Sequence, residues 1–236
     1  MKVYPISVNS EELFDERGNI VERLFVPSLS PLHRTIQIPE LLVYNQQEQI
    51  VHLRRHNPQT RVLETDRSSL VVHIGSVRRY RHRKPSRASW CMYFGPGSDW
   101  NECRQLQQPF EQTRIRGVIE ALYLAFSTVS SITCAHPELT NVRIACDSWY
   151  LVNVVAFRGW GWIDEHTWNS SRVYSPHNSR LASINTLFIN FDCRGINVKM
   201  WFITREQNRN AHRLAYQALI DPTDQARRSE YSYSPS

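Results

Sequence analysis

The sequence predicts an α/β protein whose sheet contains both parallel and antiparallel strands. From residue 69 onward, short apolar runs typical of strands alternate with longer segments whose apolar residues recur at helical spacing. The resulting order is three strands, a helix, a strand, two helices, a strand and a closing helix. This mixture fits an α/β layer built on a mixed sheet, with its antiparallel hairpins at one side.

The three leading strands are predicted at residues 69–74, 88–94 and 100–106, and the turn Gly95-Pro96-Gly97 closes the second of them. An amphipathic helix is predicted at 111–129, because apolar side chains from Ile115 to Phe126 recur at helical spacing. The remaining predicted elements are a strand at 142–146 with its helix to 158, a helix at 178–191, a strand at 197–203 and a helix at 206–219.

A candidate site lies in residues 141–150, NVRIACDSWY. An apolar run ends abruptly in Asp147-Ser148, and helical spacing begins directly afterwards. In open α/β sheets, ligands bind outside the carboxyl ends of the strands, so an Asp delivered there is well placed for a site. The alternative is that Asp147-Ser148 merely caps the helix, since Ser is a good N-cap residue.

The composition fits a folded protein with polyanionic partners. The chain has 236 residues with a net charge of +6, and its pI is about 9.2. Most of the basic surplus is Arg, whose planar fork matches phosphate oxygens better than Lys does. The five cysteines never occur in C-x-x-C spacing, which argues against a zinc site and a disulfide framework and favours a reducing compartment.

Targeting signals are not evident in the sequence. The N-terminus carries charges where a signal peptide has its apolar core, and no stretch approaches 18 apolar residues. We therefore expect neither secretion nor a membrane span, and an intracellular protein of the nucleus or the cytoplasm. Residues 1–65 read as a separate extension of unknown role that offers a surface for a protein partner. Residues 221–236 are polar and predict a disordered tail after the domain at 66–220.

A basic segment separates the first two predicted strands. RRYRHRKPSR contains five Arg and one Lys within ten residues. It is either a solvated loop, a nuclear-targeting tract, or a hairpin loop that contacts phosphates, since clustered cations release counterions on binding nucleic acid. The candidate nucleic-acid-binding residues are Arg78, Arg79, Arg81, Arg83, Lys84 and Arg87.

Several of these segments together resemble the ribonuclease H domain, in its common fungal form. The matching pieces are LVVHIGS, ASWCMYFGPG, QTRIRGVIEAL, IACDSWYLVNVV, RGWGW and FITREQNRNAHRLAYQA, in the order and spacing of that family over residues 69–220. The resemblance implies a ribonuclease H-like three-layer fold, with a mixed five-stranded sheet and helices on both faces. The N-terminal extension is outside it.

The family's chemistry is two-metal hydrolysis of the RNA strand of an RNA/DNA hybrid, with four carboxylates that hold Mg²⁺. At the family's positions this sequence has Ile74 at the end of strand one, Arg114 on the first helix, Asp147 after strand four and His212 on the closing helix. One of the four carboxylates remains. Ile74 supplies no ligand, and the Arg114 guanidinium adds positive charge where a cation should bind. We therefore expect no metal site and no cofactor.

Three function classes stay open on this reading. The first is a degenerate ribonuclease H-like domain that binds RNA, a hybrid or a partner, for which the predicted loop tryptophans Trp160, Trp162 and Trp168 offer base stacking or simple packing. The second is a metal-independent enzyme that uses Asp147, His212, Arg114 and the neighbouring His73; the alternative there is a structural Arg114–Asp147 ion pair. The third is a residual nuclease whose metal site is rebuilt from Glu111, Glu120, Asp99 or Asp66.

Overall fold

The computed structural model describes residues 23–81, 84–157 and 177–220. The strands are β1 (Leu42–Asn45), β2 (Ile50–His56), β3 (Leu63–Arg81), β4 (Lys84–Tyr93), β5 (Glu102–Gln105), β6 (Asn141–Cys146) and β7 (Asn197–Phe202). The helices are α1 (Ile38–Leu41), α2 (Arg114–Ala135), α3 (Trp149–Val152), α4 (Asn178–Cys193) and α5 (Arg209–Ala218), with a 3₁₀ turn at Pro27–Leu29 and a π-helical turn at Asn153–Phe157.

The 19-residue strand β3 connects the two halves of the sheet. One edge of β3 pairs antiparallel with β2 along its first half and with β4 along its second half. Its other edge pairs parallel with β6, in a register that places Ile74 opposite Cys146. β1 continues the sheet beyond β2, β5 beyond β4 and β7 beyond β6, so that the described strands form one seven-stranded mixed sheet.

Helices cover both faces of this sheet, because successive β3 side chains point to opposite faces. Leu70, Val72 and Ile74 belong to the main core together with α2 and α4. On the opposite face, Val77 packs with α5. Next to α5 on that face, Val71 packs against the segment that precedes β1. The predicted three-layer α/β class is confirmed.

The part of the extension that the structure describes belongs to the same sheet. The β1–β2 hairpin raises the strand count from the predicted five to seven, and the predicted boundary at residue 65 falls inside β3. Phe25 and Ile36 pack with Trp201 of β7 in a common cluster. The strands of the β1–β2 hairpin are short, and their apolar residues do not follow a regular alternation, which is why the sequence does not reveal the hairpin.

Helix α2 packs closely on β3 near its N-terminus. Thr113 caps the helix by accepting a hydrogen bond from the Arg116 N–H, so the helix begins at Arg114 rather than at the predicted residue 111. A Cβ on Gly117 would collide with Ser76, so only glycine permits this approach. By length and composition α2 resembles a membrane span, but more than half of that window is buried, as in a core helix.

Two cysteines pair across β4 and β5. Cys91 and Cys103 lie directly opposite each other in the antiparallel register, and their sulfurs form a disulfide. The expectation that the scattered cysteines form no disulfide is therefore wrong for this pair. Twelve residues separate the two in sequence, and only the strand register brings them together. Cys134, Cys146 and Cys193 are free.

Candidate functional site

The C-terminal end of β6 and the middle of β3, which pairs with it, bring the candidate residues together. Because Ile74 is paired with Cys146, Asp147 leaves the sheet one residue beyond the Ile74 position. Arg114, the first residue of α2, approaches from one face and His212 of α5 from the other. Ile74 itself turns its side chain into the α2 core, where it is fully buried.

Both carboxylate oxygens of Asp147 are already engaged by protein groups. Oδ1 accepts a hydrogen bond from Asn208 Nδ2 at 2.7 Å, and Oδ2 lies 2.9 Å from His212 Nε2. Arg114 Nη2 approaches Oδ2 to 3.5 Å, which is the expected Arg114–Asp147 pair. The Asp147 and His212 side chains are 8% and 9% exposed, whereas that of Arg114 is 49% exposed, so Arg114 closes the site on the solvent side.

Asn208 also joins the strand ends to α5. Its Nδ2 donates to the Ile74 carbonyl oxygen at 2.9 Å as well as to Asp147. Close packing supports this arrangement, because a Cβ on Gly75 would come within 3.2 Å of the Ala211 Cβ. Local sequence gives no sign of this role for Asn208, although it is the Asn of the REQN motif that supports the family resemblance.

The environment of Asp147 favours its ionised form. Burial alone raises the pKa of a carboxyl, but hydrogen bonds and charge from His212, the hydrogen bond from Asn208 and the charge of Arg114 outweigh burial. The net result is a pKa for Asp147 below its usual value. The negative charge of Asp147 is therefore stabilised by Arg114 and by its hydrogen-bonding partners Asn208 and His212.

The residues around Asp147 do not fit the Mg²⁺ that the ribonuclease H resemblance implies. Mg²⁺ needs several oxygen ligands in octahedral geometry, and Asp147 supplies the one carboxylate of this cluster. Within the described residues, no group of three or more His, Cys, Asp or Glu side chains is arranged to hold a metal ion. The Arg114 guanidinium lies where a cation would have to approach the Oδ2 atom.

Four other carboxylates were considered as substitute metal ligands. They either contact other side chains or, in the case of Glu111, lie before the first residue of α2. Glu120 is buried and pairs with Arg116 at 2.5 Å and with Arg180 at 3.0 Å, which ties α4 to α2. Glu111 precedes the first residue of α2, so it does not share a helical face with Arg114. Asp99 accepts a hydrogen bond from Gln49, and Asp66 accepts from Ser68 and pairs with Arg55.

His73 does not join the Asp147 cluster. It lies on the α5 face of β3, where its ring contacts Tyr93 edge to face and lines a pocket next to Asn208. Burial lowers the pKa of His73 to about 4, because the charged imidazolium loses its hydration there. His73 is therefore neutral at physiological pH.

The basic segment forms the end of the β3–β4 hairpin rather than a loop alone. Arg78 pairs with Ala88, Arg79 with Arg87 and Arg81 with Lys84 across the two strands. Because Arg79 and Arg87 are directly opposite, their side chains leave the same face of the hairpin. Five of the six predicted basic residues, namely Arg78, Arg79, Arg81, Lys84 and Arg87, therefore belong to two paired strands of one element, which we call the basic hairpin (residues 78–87).

An aromatic side chain in the basic hairpin escaped the sequence analysis. Tyr80 is 74% exposed, and the Arg78 guanidinium stacks over its ring at 4.3 Å from the ring centroid. Arg78 also donates hydrogen bonds to the Tyr80 hydroxyl and to Ser86 Oγ. An exposed ring beside guanidinium groups suits base stacking. The interleaving of Tyr80 among the arginines is the sequence signal for this role.

Some predicted features lie outside the described residues. Arg83 of the basic hairpin belongs to residues 82–83, and the tryptophan-bearing loop with Trp160, Trp162 and Trp168 belongs to residues 158–176. The first 22 residues of the extension and the tail at 221–236 also lie outside them.

Comparisons with solved structures define the class of the domain. The chain is similar to the foamy viral protease-reverse transcriptase in complex with dsDNA, with a TM-score of 0.50 and 17% identity over 63% of this chain and 92% of that chain. It is also similar to LC11-RNase H1, isolated from compost by a metagenomic approach, with a TM-score of 0.46 and 17% identity over 63% and 94% of the two chains. No family model matches the sequence, and no curated protein gives a significant match.

The fold is therefore ribonuclease H-like, in agreement with the resemblance of the sequence motifs. The chain carries one ribonuclease H-like domain. The placement of Ile74, Arg114, Asp147 and His212 at the family's carboxylate positions stays a prediction from the sequence motifs. At 17% identity the comparison concerns the fold, and the chemistry of the site has to be argued from its residues.

We predict that Asp147 stabilises the domain more than Arg114 does. Asp147→Ala leaves the buried donors of Asn208 and His212 unpaired and should lower the free energy of unfolding by about 2–3 kcal/mol. Arg114→Ala should cost less than about 1 kcal/mol, because its half-exposed ion pair is screened by solvent. Urea unfolding measures both, with the exposed Asp99→Ala as control. A cost for Asp147→Ala no larger than for the control contradicts the prediction.

We also predict that His73 makes the stability depend on pH. The unfolded chain protonates this imidazole near its ordinary pKa of 6.5, while the folded state resists protonation down to about pH 4. The contribution of neutral His73 to the free energy of unfolding is complete above pH 6.5 and declines as the pH falls below that value. Between pH 7 and pH 5, wild type should lose about 2 kcal/mol more than His73→Gln in denaturant titrations. If stability falls with pH to the same extent in wild type and in His73→Gln, the prediction is contradicted.

Proposed function

We propose that this chain is a catalytically degenerate ribonuclease H-like protein that binds nucleic acid, either RNA or an RNA/DNA hybrid, without metal-dependent hydrolysis. The observation that carries the proposal is the Asp147 cluster. Both oxygens of its one carboxylate are held by Asn208 and His212, and Arg114 adds a cation beside them. A two-metal mechanism needs carboxylates that bridge and flank two cations, and these residues supply the opposite charge.

The location and composition of the basic hairpin support nucleic acid as the ligand. It projects from the sheet just beyond Ile74 and Ser76, and the Arg114 Nε lies 3.4 Å from the Ser76 carbonyl oxygen at its base. Cationic side chains along one element contact successive phosphates, while Tyr80 offers a ring to a base. The foamy viral protein of similar fold was solved in complex with dsDNA, which fits the same ligand class.

The metal-independent enzyme is less well supported by the geometry. Asp147 and His212 resemble a carboxylate that orients an imidazole, at 2.9 Å. A general base must also present its second ring nitrogen to a substrate. The Nδ1 atom of His212 is buried and has no partner among the described residues, so no substrate reaches it in this conformation. The pair therefore acts as a structural clamp in the proposed function.

The residual nuclease is also less well supported, because Arg114 places positive charge beside the one carboxylate of the Asp147 cluster. Of the four carboxylates considered as substitutes, Glu120 pairs with Arg116 and Arg180, Asp66 with Arg55 and Asp99 with Gln49, while Glu111 lies before α2. An intracellular location and a protein partner for residues 1–65 remain predictions. Residues 23–65 pack against the sheet, so a partner would contact their outer side.

The decisive assay compares cleavage and binding on one preparation of the protein. With a labelled RNA/DNA hybrid and Mg²⁺ or Mn²⁺, we expect no hydrolysis by wild type, together with binding that weakens steeply as salt increases. Hydrolysis that depends on metal and disappears in Asp147→Asn would overturn the proposal. Absence of both binding and cleavage would refute the nucleic-acid-binding half of it.

A variant that restores the carboxylates provides a positive control. Ile74→Asp, Arg114→Glu and His212→Asp together return carboxylates to the family's positions beside Asp147. If the fold still presents a hybrid correctly, this triple variant should gain metal-dependent cleavage that wild type lacks. Circular dichroism and urea unfolding establish that the variant is folded, since Ile74 is fully buried and its replacement is destabilising.

We predict that the basic hairpin provides phosphate contacts. Arg81→Gln with Lys84→Gln should weaken binding of a hybrid about equally for different sequences. It should also lower the slope of log affinity against log salt by up to about 2, since each lost phosphate contact accounts for about 0.9. Fluorescence anisotropy across a salt series measures both quantities.

A matched control removes the same charge elsewhere. Arg61 and Arg67 are exposed and lie at or just before the opposite end of β3, roughly 45 Å from Arg81 at the usual rise per strand residue. Arg61→Gln with Arg67→Gln should change the salt slope much less than the hairpin variant. Equal effects of the two variants would show that net charge alone attracts nucleic acid, and would contradict a defined contact at the hairpin.

A further inference from the structure

A pocket of about 210 Å³ lies on the α5 face of the sheet, apart from the basic hairpin. The β1–β2 hairpin closes one side of it through Leu42, Tyr44 and Val51. The middle of β3, the end of β4 and the start of α5 form the other walls, where His73, Tyr93 and Asn210 line the pocket. Part of the pocket is therefore formed by residues that the ribonuclease H resemblance does not cover.

The walls combine aromatic rings with groups that form hydrogen bonds. The Tyr44 ring lies against the backbone of Gly95, whose positive φ of 146° and lack of a Cβ make room for it. The Tyr93 hydroxyl accepts a weak hydrogen bond from Asn210 Nδ2 at 3.4 Å and keeps its own hydrogen to donate. Gln207 and Asn208 add two more amide side chains to the lining.

Polar atoms at this pocket lack partners within the described residues. Asn208 uses its Nδ2 for Ile74 and Asp147, and its Oδ1 is buried without a hydrogen bond. His73 Nδ1 is also buried and unpaired. Buried polar groups in native proteins are nearly always satisfied by protein, water or ligand, so an occupant that forms hydrogen bonds suits these two lining residues.

The lining residues carry no formal charge at physiological pH. Burial keeps His73 neutral and raises the pKa of Tyr93, although the charge of Arg213 opposes the rise. A phosphate or carboxylate would find no cation among these residues, and burying an unpaired charge is costly. The volume is below the range of roughly 300–1,000 Å³ for drug-sized ligands. The occupant is therefore small, uncharged and rich in hydrogen-bonding groups.

We propose that this pocket binds an uncharged heteroaromatic ring of nucleobase size, either as a free base or nucleoside or as an unpaired base of a bound strand. Tyrosine rings provide stacking surfaces for bases, and Asn and Gln amides match the donor–acceptor edge of a base. The strand-borne form rests on the proposed nucleic-acid binding, whereas the free-base form does not. Asn208 links such an occupant to Asp147, because one amide contacts both.

The test has two arms that separate these sources. In the first, adenine, uracil and their nucleosides are titrated into the full-length ¹⁵N-labelled protein, and amide shifts are followed at the pocket. In the second, a single-stranded RNA oligomer and an abasic oligomer of the same length and charge are compared by anisotropy. We expect the base-bearing strand to bind about 5-fold or more tightly than the abasic strand if a base enters the pocket.

Two variants and one control assign any effect to the pocket. Tyr44→Leu removes one of the two tyrosine rings that line the pocket. Asn210→Leu removes an amide whose hydrogen bond to Tyr93 is weak, so this variant should remain folded. Tyr216→Leu is the matched control, since this tyrosine is 44% exposed and does not line the pocket. Base-dependent shifts or affinities should disappear in both pocket variants and persist in the control.

The outcomes distinguish three occupants of the pocket: a free compound, a base of a bound strand, or water. Shifts with free bases but equal affinity for both oligomers identify a free compound as the occupant, and a base-dependent affinity identifies the strand. Failure of both oligomers to bind refutes the strand-borne form and leaves the free-base arm to judge the pocket, while the hybrid assay described above judges the proposed function. No shift with any base, together with equal oligomer affinities, means that water fills the pocket and overturns the inference.

Discussion

The side-chain amide of Asn208 fixes the arrangement on which the candidate site depends. Its two N–H groups connect the middle of β3, through the Ile74 carbonyl, to the carboxylate that follows β6. Since Asn208 directly precedes α5, the same contacts set how far the closing helix lies from the sheet. Gly75 permits that approach by leaving room for Ala211. The position of His212 over Asp147 follows from this geometry.

The charge at the strand ends is balanced by the protein itself. A cluster of four carboxylates would repel itself strongly and would require bound cations to exist at neutral pH. Here a single carboxylate is surrounded by a guanidinium, an imidazole and an amide, so its charge is compensated by side chains. The lowered pKa of Asp147 is the consequence, because these donors outweigh its burial. Side chains thus supply the stabilisation that bound metal would supply in a hydrolytic site.

Sequence patterns predicted the core of the fold because that core is periodic. Apolar runs at β3, β4 and β6 and the helical spacing in α2 reflect burial, which is what such patterns encode. The extension of β3 through the basic segment was not predicted, because backbone pairing in a hairpin requires no apolar side chain. The role of Asn208 and the Cys91–Cys103 pair depend on tertiary register, on which local sequence carries no information. The helix start was misplaced at residue 111 because Thr113 provides the cap and the helix begins at Arg114.

The basic hairpin suits the phosphates of a nucleic acid, whereas the uncharged pocket suits a base. Phosphate contacts give affinity and position a strand but carry no sequence information, whereas contacts to bases distinguish one sequence from another. The hairpin presents guanidinium groups and an exposed ring, and the pocket presents tyrosines and amides without charge. The two lie on β3–β4, separated along the strands by only a few residues between His73 and Arg78. Under the proposed function, the hairpin would hold the backbone of a strand while the pocket takes one of its bases, and the β1–β2 hairpin would contribute to that recognition because it closes the pocket.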